Sequence, residues 1–571
     1  MKKIIYTFFL TTLSLLIFFT FYLSTFGIET SRFNNIIIKE IKKKDPNIKL
    51  QINKIRVKFD VRKFQIYLKT LEPQIIYQDV KIPIKEINIY SKIISILKSK
   101  NEINQAIILI ENFNIQDFQK VVVRIKPSNL KTYLLNNLNG GEIEKILINV
   151  KLDENSNIYD YQVNGSVKKV NVKVFDNLLI KDVNLNFISD KNLTLINSIS
   201  ANYQGISISN GSTSLMRNKE IRIEGKFNSQ FNLNEDSVNK LLAKLNIKFL
   251  ERNKIKAQGS LLHKFLFIID ENFKLIDYEY KSNGSVSESQ IILKDVFKSS
   301  FVEKQIRKIT ISKTNLEVNL NKKDKNLLII DGLYNLGSSE NKKFRITNNL
   351  NRKNSKYLID FDLAENIFLE LINFKTSNKN NSNIKSEINF TENNIIFNNI
   401  NFTEDKNLIS IKNFKLGKKK EIESISDITV LTFKGGKENN NFKITFKDKI
   451  YVVGKKYDTT YLLKQLSTDN KENPLKNFTK DIEISLNNLI TKSQIPLNDF
   501  RLIGRINKGK FEKLSAKSEF SKNEFLDISL KKDENNKKIL EIYSDSPQAL
   551  LADYKFFDGI KDGKLLYNSV F

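Results

Sequence analysis

From Ile55 onward the chain places apolar residues at every second position, in short runs separated by polar stretches. Ile55-Val57-Phe59, Val163-Gly165-Val167, Val170-Val172-Val174, Val183-Leu185-Phe187, Ile221-Ile223 and Phe442-Ile444-Phe446 all follow this rule. A period of two predicts β-strands with one dry face and one wet face. Between Val167 and Val170 the apolar phase passes from odd to even numbers. A turn or bulge at that point would return both runs to the same interior.

Before the strands comes a run without a single charge, Ile4 to Ile28, lying between Lys2-Lys3 and Glu29. As a helix it is about 37 Å long, enough to cross a hydrocarbon core of about 30 Å with some tilt. Ile4, Phe8, Leu13, Leu16, Phe19, Tyr22 and Ile28 are the candidate anchor residues. No small-residue cleavage site stands in Tyr22 to Gly27, so the run reads as an uncleaved signal anchor rather than a signal peptide. Arg32, Lys39, Lys42, Lys43 and Lys44 outnumber Lys2 and Lys3, and that count alone puts the body in the cytoplasm. Long hydrophilic domains translocate largely regardless of charge, however, and a short leading end usually stays inside. The body is therefore expected outside the cytoplasmic membrane.

Helices are few. Phe33, Ile36, Ile37 and Ile41 form a helical stripe within Thr30 to Lys44, ended by Pro46, after which the strands begin. Ser128 caps a predicted helix carrying Leu130, Tyr133, Leu134 and Leu138, stopped by Gly140-Gly141. Asp236 caps another with Val238, Leu241, Leu242 and Leu245, and a third begins at Ser546-Pro547 and runs through Leu550, Leu551 and Tyr554 to Gly559. Each reads as a packing element. The polar stretches Ser377 to Asn383 and Lys437 to Asn441 read as loop tips, and no Ser/Gly-rich or Pro-rich linker divides the chain. One continuous sheet is the expectation.

A net charge of +29 would ordinarily suggest nucleic acid or an anionic membrane surface. Here the lysines alternate with apolar residues, as in Val57-Lys58-Phe59 and Val172-Lys173-Val174, so they read as the wet face of strands. No compact basic patch with interleaved aromatics points to nucleic acid. The absence of cysteine removes disulfides and thiolate metal sites, and a single histidine leaves zinc chemistry almost nothing to work with. That residue, His263, lies in the strand-like run Leu261 to Phe265 and reads as a core or edge histidine. Gly332 to Gly337 lacks the lysine a phosphate-binding loop needs and reads as a turn. No catalytic residue, cofactor site or metal site is proposed from the sequence.

Taken in order, these segments resemble the AsmA-like superfamily of bacterial envelope proteins, in particular its YhdP-like branch. The likeness rests on the anchor and helix, then Ile87-Asn88-Ile89-Tyr90-Ser91, a helix over Lys92 to Leu97, and Ile103 to Ile110. It continues through Pro127-Ser128-Asn129-Leu130, Leu135 to Gly141, Gly165-Ser166-Val167 and Ile221 to Gly225. Near the end, Gly454 to Leu463 and Ser544 to Leu551, with Gly559 and Gly563, resemble the approach to the family's C-terminal region. That region runs on further in the family, so the chain reads as C-terminally truncated.

The resemblance implies a mainly β fold: a transmembrane helix followed by an elongated, curled antiparallel sheet forming an open groove, with a few short helices. It divides the chain into an anchor (1–28), an N-terminal AsmA-like segment (29–126), a YhdP-like central domain (127–250) and a continuing β-groove (251–571). It implies a single-pass inner-membrane protein with a periplasmic body that carries phospholipids between the inner and outer membranes and supports outer-membrane integrity. Val163, Val167, Val183, Leu185, Phe187, Ile221 and Ile223 would line the groove. Two other readings stay open: the apolar faces pack two sheets together with no groove, or the chain is a non-catalytic scaffold for outer-membrane biogenesis that holds clients on its strand edges.

Overall fold

The computed structural model describes residues 2–571 apart from 72, 93–102, 156, 175–177, 245–252, 272–273, 300, 324–325, 338–339, 351–354, 378–380, 392, 419–420, 462–478, 493–494, 509, 522, 535–536 and 549–562. The chain is mainly β, with antiparallel strands, one long apolar helix at the N-terminus and a few short helices. By internal packing it divides into two units, Met1–Leu233 with Gly259–Asn283, and Asn234–Gln258 with Gly284–Phe571.

The first unit opens with α1 (Lys2–Thr25), β1 (Ile28–Thr30), α2 (Asn34–Lys44), β2 (Ile48–Gln51), β3 (Ile55–Asp60), β4 (Gln65–Leu71), β5 (Gln74–Tyr77) and β6 (Val80–Ile82). It continues with β7 (Ile84–Lys92), β8 (Ile103–Asn114), α3 (Ile115–Val122), α4 (Asn129–Asn137), β9 (Leu138–Asn139), β10 (Glu142–Leu152) and β11 (Ile158–Val174). Then come β12 (Leu178–Asp190), β13 (Leu193–Tyr203), β14 (Ile206–Arg217), β15 (Ile221–Leu233) and the parts of β16 (Lys254–Ile269) and β17 (Leu275–Ser299) that belong to this unit. The strands β1, β3, β4, β7, β8 and β10 to β15 pair in that order, every pair antiparallel.

Two apolar clusters sit on one face of this sheet. Ile37, Ile38 and Ile41 of α2 pack with Leu50, Ile75 and Ile82 of the small sheet β2–β5–β6 against Ile55, Leu68, Ile87 and Ile108. Ile115, Phe118 and Val121 of α3 cover Ile110, Phe113, Ile143 and Val170. The helical stripe expected before Pro46 is α2, but it begins at Asn34, and a strand, β1, precedes it. Ser128 caps α4 as expected, its hydroxyl accepting from the Lys131 amide.

The anchor helix ends at Thr25, three residues short of the expected Ile28. Ile28 instead opens β1 and pairs with Val57, because Gly27, at φ +74°, turns the chain out of the helix.

The phase change between Val167 and Val170 is a bulge, with Lys169 at φ 51°. It has companions: Asp182 (φ 53°), Ser198 (φ 55°) and Asn210 (φ 51°) sit at register shifts in β12, β13 and β14. The pairings Val170 with Val183, Asn184 with Ser200 and Ile199 with Gly211 put these shifts side by side. A line of one-residue bulges therefore crosses four successive strands. Each bulge bends its strand and strengthens the local twist.

The second unit is built from antiparallel strands with one parallel pairing among those described, between Ile450–Asp458 and Lys480–Ile490. Its core gathers Phe402, Val430, Phe442, Ile450, Val452, Leu486, Leu497, Phe500, Leu502, Ala516, Phe520 and Leu526 on one sheet face. Ile372 and Phe374, from a short insert, complete it. That insert is the ladder of Phe368–Leu369 with Phe374–Lys375, joined by a 3-10 turn over Glu370–Ile372.

Several expectations need correction in this unit. Lys437 to Asn441 is no loop tip: it opens the strand Lys437–Phe446, and Asn439 and Asn440 are buried. Asparagine reads as a loop residue from sequence, but here the side chains fasten the insert. Asn440 Nδ2 donates to Ile372 O (2.7 Å) and Thr432 Oγ1 (2.8 Å), its Oδ1 accepts from Asp458 N (2.8 Å), and Asn439 Nδ2 donates to Asn373 O (3.2 Å). Gly332 lies inside the strand Leu327–Asn335, where any side chain would collide with Thr314; the turn is at Gly337. The helix Glu235–Lys244 is capped by Asn234, whose Oδ1 accepts from Ser237 N (2.9 Å), and Asp236 falls in the first turn. The helix expected over Lys92 to Leu97 falls largely on residues outside those described, as does the one from Ser546 beyond Gln548.

Candidate functional site

The seven residues expected to line a groove all point to one face of the first unit's sheet. Val167 lies opposite Leu185, Gly165 opposite Phe187 and Val170 opposite Val183. Leu215 lies opposite Ile223, and Arg217 opposite Ile221. A single cross-strand row runs Val163, Ser189, Thr194, Leu215, Ile223, and the next runs Gly165, Phe187, Ile196, Thr213, Gly225. At about 4.8 Å per strand, five strands make each row about 19 Å long.

This face is open. Val183 is buried near the cluster beneath α3, whereas Val163, Val167, Leu185, Phe187, Ile221 and Ile223 are half-buried. A second packed layer would bury such side chains fully, as the core of the second unit does. The closed-sandwich alternative therefore does not describe this stretch. The surface is also low, because Gly165 leaves room for the Phe187 ring to lie across the strand instead of standing up from it.

Sequence reading missed part of the face. Ile196, Ile199, Leu215, Phe227 and Phe265 belong to it. In β14 the alternation is masked by serines and broken at Asn210, which left Leu215 without an apolar partner two positions away.

His263 sits on the same face, fully engaged. Its Nε2 is 2.7 Å from Ser229 Oγ, its Nδ1 is 2.7 Å from Tyr280 Oη, and its ring stacks on Phe227. This clasp ties β15, β16 and β17 together, and the histidine is a core residue. Burial holds the imidazole below its ordinary value of 6.5. A depressed folded value means that the unfolded chain takes up the proton first, so the stabilisation present above pH 6.5 is lost as pH falls through the folded value. Urea unfolding compared at about pH 7.5 and about pH 5.5 should therefore show a larger loss for the native chain than for His263→Gln. Equal losses would remove His263 from the account.

The opposite face is mixed: ion pairs stand beside the exposed Leu179, Ile188, Leu195 and Met216. Lys151 pairs with Asp160 (2.8 Å), Lys168 with Glu144, and in the second unit Lys356 with Glu387 (2.7 Å) and Lys443 with Asp427 (2.9 Å). These cross-strand pairs hold Glu144, Asp160, Glu387 and Asp427 below the usual carboxylate range. A shallow concavity is lined by Arg222, Glu224, Lys226, Lys264, Glu279 and Lys281 together with Leu195 and Leu266, and it reaches Thr213, Gly225 and Phe265. Among the described residues no group of three or more His, Cys, Asp or Glu side chains is placed to hold a metal ion.

Among the described residues one helix, Lys2–Thr25, is long and apolar enough to cross a membrane. Family models, curated proteins and solved structures were all compared with the chain, and none matches it.

Proposed function

We propose that the chain is a membrane-anchored envelope protein that carries phospholipids, their acyl chains lying on the open apolar face of the first unit's sheet. The observation that carries this reading is that Val163, Leu215 and Ile223 in one cross-strand row, and Phe187 and Ile196 in the next, are apolar yet only half-buried. Drawing a sixteen-carbon acyl chain into water costs about 13 kcal/mol at about 0.8 kcal/mol per methylene. The apolar side chains of this face remove part of that cost without holding any one lipid tightly, and the hydroxyls of Ser189 and Thr194 between them are bonded to each other. The reverse face, with its cross-strand ion pairs, stays in water, and head groups need no dedicated pocket. By its resemblance to the AsmA-like superfamily, the body belongs in the periplasm, with traffic between the inner and outer membranes.

Photo-crosslinking side chains placed singly at Val163, Leu185 and Ile223 are expected to capture phospholipid, and one at the exposed, outward Asn186 is not. Capture of protein clients without lipid at the inward positions would favour the scaffold reading. Equal lipid capture at Asn186 would defeat the proposal.

A further inference from the structure

The passage from α1 into the sheet contains no slack. Phe26 N and Gly27 N both donate to Tyr22 O (2.9 and 3.0 Å), and Ile28 is already paired with Val57. A side chain at Gly27 would lie 2.7 Å from Val57 O, so the helix end and β3 are in close approach. Arg56 Nη2 binds Glu29 (2.7 Å), and Lys58 Nζ donates to Thr25 O (2.8 Å).

Because β3 is antiparallel to β1, it runs back past the helix end. Phe59 and Asp60 carry it about 7 Å beyond Lys58 before the turn into β4. Thr20, Leu23 and Ser24 are half-covered, whereas the rest of α1 is exposed. At the tip of this hairpin, Val61 is 58 % and Phe64 71 % exposed. The tip is held in shape, with Asp60 Oδ1 accepting from Arg62 N (3.0 Å) and Lys63 N (3.1 Å). The Phe64 ring meets Phe59 edge-on at 5.5 Å.

We propose that this tip, Val61 to Phe64, is a second membrane contact, seated in the interfacial layer of the bilayer that α1 crosses. Two exposed apolar side chains and the exposed Arg62, rigidly presented beside the end of a spanning helix, suit the boundary between phosphates and acyl chains. The inference rests on the reading of α1 as a membrane span. Two contacts fix the tilt of the sheet against the membrane, which one helix leaves free.

The chain contains no tryptophan, so single replacements report their own depth. The full chain is reconstituted in phosphatidylethanolamine and phosphatidylglycerol vesicles that carry lipids brominated either high or low on the acyl chain. Phe19→Trp is expected to lose emission to deep bromines. Phe64→Trp or Val61→Trp is expected to shift to the blue and lose emission to shallow ones. Ile125→Trp, 51 % exposed beyond the opposite end of β8, is expected to lose none. If Phe19→Trp is quenched while both tip positions behave as Ile125→Trp does, the second contact is refuted and the anchor stands. If Phe19→Trp is also unquenched, anchor and second contact fall together.

Discussion

Replacing Asn440 by leucine should release the insert around Ile372 and Phe374 from the second unit's core. The side chain is fully buried. Its loss leaves Ile372 O, Thr432 Oγ1 and the Asp458 amide without the partner each now has in Asn440. Each stranded group costs about 1–3 kcal/mol, and the apolar replacement recovers part of the sum, so a net loss of about 3 kcal/mol is expected. At 1.4 kcal/mol per factor of ten, amide hydrogen exchange over Phe368–Lys375 should accelerate by about 100-fold. Asn439→Ala, which removes one bond to Asn373 O, should act in the same direction and more weakly. Unchanged exchange in the segment would mean that Asn440 does not seat the insert, leaving that to apolar packing and to bonds such as Asn373 Nδ2 to Asp458 Oδ2.

The second large effect concerns cargo. A double change, Leu185→Asp with Leu215→Asp, places two carboxylates on the open face. Both positions are half-buried, so water can solvate the charges in the empty protein and the fold should survive. A bound acyl chain would strip that water away, at a cost of several kcal/mol per uncompensated charge. Phospholipid recovered with the purified chain should therefore drop by about tenfold or more, while the circular dichroism spectrum stays native. Retention of lipid at the native level would show that the acyl chains lie elsewhere.

The strands were readable because alternation is a local property. Val163 to Val174 announces both its face and its interruption, and the structure supplies the reason in Lys169. What could not be read depends on distant partners. Asn439 and Asn440 look like loop residues until an insert some 66 residues upstream lies across them. Ser229 and Tyr280 gave no hint that they would meet His263, because each sits on a different strand. The parallel course of Lys480–Ile490 beside Ile450–Asp458 is equally invisible, since alternation carries no direction. On the candidate face, the alternating runs Val163 to Val167 and Val183 to Phe187 were found. Leu215, whose strand is interrupted at Asn210, was not.

The line of bulges through Lys169, Asp182, Ser198 and Asn210 has an evolutionary corollary. Each of these strands carries two counting frames, odd on one side of the bulge and even on the other, as Val167 and Val170 illustrate. Deleting the extra residue from one strand would turn the side chains on one side of the bulge to the opposite face of the sheet. Repair would need a compensating insertion within the same strand. Lineages carrying this sheet should thus gain and lose residues freely at hairpin ends, while strand length across those four positions stays frozen.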